Sequence, residues 1–178
     1  MLNILISLVG LVQAAVIDAD GPENATEAFA SLEGDWQGQL EYRDYQSGRL
    51  QAIPLRAEFE AIADGATFLQ RSVFTDVASP VLITTMVNVD GGTVSVANSR
   101  TGRGVEAYDQ TVGALEGSSI QAWTMTLTRV DQDDGRPAAI REVMLRDGNS
   151  LIIIKEVDFL DDGLIDWIFR NRVTLHAR

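Results

Sequence analysis

The sequence predicts an all-β domain: an antiparallel up-and-down barrel of about ten strands, preceded by one short helix. Three observations carry that expectation. From Gly34 onward, apolar and polar residues alternate with a period of two. Turn signals rich in Gly, Asp and Asn separate the runs at hairpin spacing and leave no room for long crossovers. A sheet of that many twisted strands would curl or expose edges, and closure removes them. A sandwich is the competing architecture, but it needs Greek-key connections that such regular hairpins do not favour.

Met1 to Ala14 (MLNILISLVGLVQA) has no charged side chain and is apolar from Ile4 to Val12. The run is too short for a membrane-spanning helix and fits the hydrophobic part of a secretory signal. Val12 and Ala14 stand at the spacing a signal peptidase accepts, which predicts a signal peptide over 1–14. A buried strand or helix is the alternative, since the segment lacks Lys and Arg. Residues 15–33 read as a polar linker and a short capping helix. Asn24 with Glu27 three residues on resembles a capping box, and Ala25, Ala28, Phe29 and Leu32 make the apolar stripe. Asn24-Ala25-Thr26 is also a glycosylation sequon, relevant only in a eukaryotic secretory pathway.

Residues 34–178 form the predicted barrel domain. Trp36, Gly38, Leu40 and Tyr42 alternate with polar neighbours in the first strand, and Ile53, Leu55, Ala57, Phe59 and Ala61 in the second. Further strands are expected over Thr67–Thr75, Val81–Val89, Thr93–Asn98, Val105–Leu115, Ile120–Val130, Ala138–Arg146, Ser150–Phe159 and Leu164–Leu175. Expected turns include Asp64-Gly65, Asp90-Gly91-Gly92, Glu116-Gly117, Asp133-Asp134-Gly135, Asp147-Gly148-Asn149 and Asp161-Asp162-Gly163.

At 178 residues the chain suits one domain. A formal charge of -12 at pH 7 opposes docking on nucleic acid or anionic membranes. With no cysteine, there are no disulfides, thiolate metal sites or cysteine nucleophiles. The single histidine, His176, rules out a two-histidine zinc site within one chain.

Phe29, Leu32, Gly34, Trp36 and Gly38 form F-x-x-L-x-G-x-W-x-G. This pattern resembles the opening of the lipocalin-like (calycin) barrels, where a short helix leads into a strand with a G-x-W signature. The chain resembles uncharacterised bacterial exported proteins of that superfamily. The resemblance implies that an arginine on the last strand packs across Trp36, and Arg170 and Arg172 are the candidates. Alternation instead places both on the outward phase, so either a bulge shifts the register or the packing arginine is missing. Gly34, Trp36 and Gly38 also resemble the first strand of nitrobindin-like haem barrels. His176 would then be the ligand, but it falls on the outward phase, so no haem or other cofactor is expected.

The expected binding residues lie inside the barrel. Trp36, Phe59, Trp123 and Trp167 would line a lipophilic pocket or simply fill the core. Arg141 and Lys155 interrupt apolar alternations, and a charge there is costly unless it is paired or meets a ligand. Fatty-acid-binding barrels are similar in holding a carboxylate with interior arginine, so Arg141 and Lys155 could do so here, with Tyr42 donating a hydroxyl. An internal ion pair with Glu142 or Glu156 is the other reading. Ser99-Arg100-Thr101-Gly102-Arg103-Gly104 is a basic turn that could draw an anion to a barrel mouth, or a solvated hairpin. Asp131, Asp133, Asp134, Gly135 and Glu142 echo a calcium loop in the wrong register and read as an acidic hairpin. No metal site and no catalytic residues are identified. The leading expectation is an exported, periplasmic or secreted protein that binds a small apolar or amphipathic ligand. An envelope interaction module with a filled barrel and a barrel isomerase or cyclase are the alternatives.

Overall fold

The computed structural model describes residues 21–44, 47–75 and 80–178. The predicted signal segment lies outside the described residues. Asn24 caps the helix α1 (Ala25–Ala30), its side chain accepting from the Glu27 N–H at 3.1 Å. Glu27 in turn accepts from the Glu23 N–H at 2.9 Å, one residue earlier than the usual capping-box partner.

Ten strands follow: β1 (Gly34–Arg43), β2 (Leu50–Ala61), β3 (Thr67–Phe74), β4 (Val81–Asp90), β5 (Thr93–Arg100), β6 (Val105–Ser119), β7 (Ala122–Asp133), β8 (Arg136–Asp147), β9 (Ser150–Phe159) and β10 (Ile168–Ala177). Each pairs antiparallel with its neighbours in sequence, and β1 pairs with β10 to close the barrel. Closure leaves no free edge among the described strands and excludes the sandwich.

Glycine permits two close crossings. A Cβ added to Gly38 would lie 1.8 Å from the Thr174 carbonyl oxygen, so the β1–β10 seam closes only over a bare backbone. Gly117, expected to turn the chain, lies inside β6 instead. A Cβ there would come within 2.9 Å of Trp123 Cβ and 3.0 Å of Pro22. Irregularities at Val112/Ala114 and Gly117/Ser119 carry β6 past that point, and the reversal moves to Ile120–Gln121.

The core gathers at the end of the barrel that α1 covers. Leu32 is fully buried, Phe29 stacks on Phe68 at 5.7 Å, and Trp36 meets Phe59 edge-on at 6.2 Å. The Trp36 indole N–H donates to the Leu32 carbonyl at 2.8 Å, and the Trp123 indole N–H to Ser31 Oγ at 3.1 Å. Two otherwise orphaned donors thus tie the helix across the barrel end. A smaller cluster of Ala138, Ile140, Val157, Phe159 and Ile168 fills the opposite end on the β8–β10 side.

Candidate functional site

Since only part of the far end is filled, the barrel is hollow on its β3–β6 side. Below α1 lies a chamber of about 160 Å³. Its walls are mostly apolar, among them Phe29, Phe59, Phe68, Val94, Val96, Leu127 and Met144. Gln70, Thr85 and Asn98 line both this chamber and an outer basin of about 500 Å³. The basin is bounded by Ser72, Phe74, Ile83, Arg100, Arg103, Glu106 and Val173. The basic turn therefore sits at the mouth, as its glycine-rich pattern allowed.

A polar belt crosses the interior. Thr85 Oγ1 donates to Asn98 Oδ1 at 2.7 Å, and Asn98 Nδ2 donates to Tyr108 Oη at 3.4 Å. Arg129 lies 4.0 Å from the centre of the Tyr108 ring and donates to Glu142 Oε1 at 3.1 Å. Burial first, and the Glu142 charge next, push the Tyr108 hydroxyl above its ordinary pKa, so it stays a protonated donor. The carboxamide of Gln110, 3% exposed, lines the chamber with no hydrogen bond to its Nε2. Tyr108, Gln110, Arg129 and Glu142 were not singled out as binding residues by sequence reasoning. Their polar character next to apolar residues of the same phase was the available signal.

The expected binding residues divide into three groups. Phe59 lines the chamber, and Trp36 and Trp123 are buried beneath α1 with their indole donors occupied. Tyr42 and Lys155 share the inward phase toward the other end, Tyr42 beside Asn171, Asn171 beside Lys155. Lys155 lies 3.6 Å from Asp133 Oδ1, and Arg170 lies 2.6 Å from Asp133 Oδ2. The internal ion pair at Lys155 is thus made, with Asp133 rather than with Glu142 or Glu156. Arg141 and Trp167 do not line the chamber: Arg141 is on the outward phase of β8 and packs against Trp167. Arg141 donates to Glu156 at 2.7 Å and stacks over Trp167 at 4.1 Å. The inward phase of β8 is Ala138, Ile140, Glu142, Met144 and Arg146, while Ala139, Val143 and Leu145 make the outward phase equally apolar. Hydropathy could not choose between them.

The bulge anticipated on the last strand exists, between Phe169 and Asn171. It turns Arg170 toward Asp133 and leaves Arg172 outside, 2.6 Å from Glu41. Neither packs on Trp36. That place belongs to Arg146 of β8, 5.6 Å from the Trp36 ring, whose guanidinium burial shifts below its usual pKa. His176 is exposed on the outer wall, beside Gln37 across β1 and Ser150 across β9. Among the described residues no group of three His, Cys, Asp or Glu is placed to hold a metal, and no helix is long and apolar enough to cross a membrane.

Fold and chamber define a closed ten-stranded antiparallel barrel, compatible with a binding protein and fitting a lipocalin-like fold. It is similar to the crystal structure of Rv2717c from M. tuberculosis, with a TM-score of 0.61 and 15% identity over 89% of this chain and 99% of that chain. At that identity the likeness extends to the fold alone. No family model matches the chain, and no curated protein matches it.

Proposed function

We propose that the protein is an exported, periplasmic or secreted barrel of the lipocalin-like (calycin) kind that binds one small apolar or amphipathic molecule in its interior. The observation that carries this reading is the chamber beneath α1, which shares Gln70, Thr85 and Asn98 with a wider basin. Small ligand sites are typically concave and mostly apolar, with a few placed polar groups, and this interior has that composition. Arg100 and Arg103 at the mouth favour neutral or anionic species over cations in an otherwise acidic protein. The apolar run over 1–14 supports export. The G-x-W-x-G opening after a short helix supports the calycin relationship, while the arginine facing Trp36 comes from β8 and not from the last strand.

The test is native mass spectrometry of the protein purified from the exported fraction of its own host. A co-purifying mass that disappears on denaturation supports a carrier or sensor. In Val96→Phe, the larger side chain enters the chamber wall and should abolish that adduct while the barrel still melts cooperatively. A clean apo mass, with no uptake of added amphiphiles, would instead favour a filled barrel that works through its outer surface.

A further inference from the structure

Resting on that reading, we propose that the innermost group of the ligand is an uncharged oxygen, a hydroxyl or a carbonyl, met by Gln110 and Tyr108. A buried amide N–H without an acceptor is destabilising, and such groups are uncommon in folded proteins. Gln110 is such a group: it lines the chamber, is 3% exposed, and has no partner for Nε2. Tyr108 Oη accepts from Asn98 and keeps its own proton to donate. Two donors thus belong to one small space whose walls are mostly apolar.

Charge selects the oxygen's chemistry. Among the described residues, Glu142 is the one charged residue lining the chamber. Arg129, over the Tyr108 ring, is engaged by Glu142 at 3.1 Å and by Asp131 at 3.5 Å. A carboxylate placed here would face the Glu142 carboxylate while the Arg129 guanidinium is already committed, so its desolvation would be poorly compensated. A hydroxyl accepts from Gln110 and can donate to Glu142, and a carbonyl accepts from Gln110 and Tyr108 together.

The probes are 1-octanol, 2-octanone and octanoate, titrated by calorimetry into the purified protein at pH 7.5. Octanol and octanone should bind at least about tenfold more tightly than octanoate. Gln110→Leu should weaken octanol binding about tenfold, the loss expected for one buried hydrogen bond. Tyr108→Phe keeps the ring under Arg129 and should weaken octanone in particular. It also provides an independent arm if Gln110→Leu folds poorly. Octanoate binding as tightly as octanol, or unchanged octanol affinity in Gln110→Leu, overturns this assignment and leaves the carrier reading standing. Failure of all three probes to bind overturns both.

Discussion

Glu142→Gln should destabilise the barrel by about 2 kcal/mol. The Arg129 side chain is 9% exposed and that of Glu142 is 22% exposed, so the pair lies largely out of water. Breaking a buried pair by removing one partner costs roughly 3–5 kcal/mol, because the remaining charge is stranded. Two features reduce that here. Asp131 stands 3.5 Å from Arg129 Nε, and the guanidinium rests on the Tyr108 ring. At roughly 2–4 °C per kcal/mol for a domain of this size, the melting temperature should fall by about 4–8 °C. Thermal denaturation followed by circular dichroism measures it. The double variant Arg129→Met, Glu142→Leu removes both charges and should recover at least about half of the loss, since apolar replacement of a buried pair is often neutral. A fall of less than about 1 °C in Glu142→Gln, or a double variant no better than the single, would refute the reasoning.

Gly38→Ala should prevent normal closure of the β1–β10 seam, because the new methyl group overlaps the Thr174 carbonyl; a melting temperature within about 2 °C of the parent would contradict this. Arg141→Leu should leave interior ligand affinity unchanged within about twofold by calorimetry, since Arg141 is tied to Glu156 and Trp167 outside the barrel. The Asp64 carboxyl is held below its ordinary pKa, first by the Thr67 hydroxyl and then by the Ala66 and Thr67 N–H groups. Its stabilising contribution is therefore present above the unfolded carboxylate pKa and lost as pH falls through the lowered folded value. In an NMR titration the Asp64 midpoint should rise in Thr67→Val, and an unmoved midpoint would remove the hydroxyl as its cause.

Alternation alone determined that this chain is a run of strands. Period two survives in β2, where Ile53, Leu55, Ala57 and Phe59 face in, because Pro54, Arg56, Glu58 and Glu60 on the outward phase are charged or proline. Asp134-Gly135 turned where expected, both residues having positive φ, because a tight hairpin needs that conformation and few residues supply it. These are local properties, and a local reading recovers them. Which face points inward was legible only where the two phases differ in hydropathy. In β8 they do not, so Arg141 and Glu142 exchanged places relative to expectation. Gly117 was equally ambiguous, since glycine serves a turn and a close crossing alike, and only its distance to Trp123 separates the two. The chamber itself belongs to tertiary structure. Gln110 and Tyr108 come from β6, Glu142 from β8 and Phe29 from α1, and their meeting depends on how the closed sheet curls. Sequence dictates strand, turn and cap through neighbours a few residues apart. The empty space between strands far apart in the chain exists only after closure, because a cavity is a volume that packing leaves unfilled.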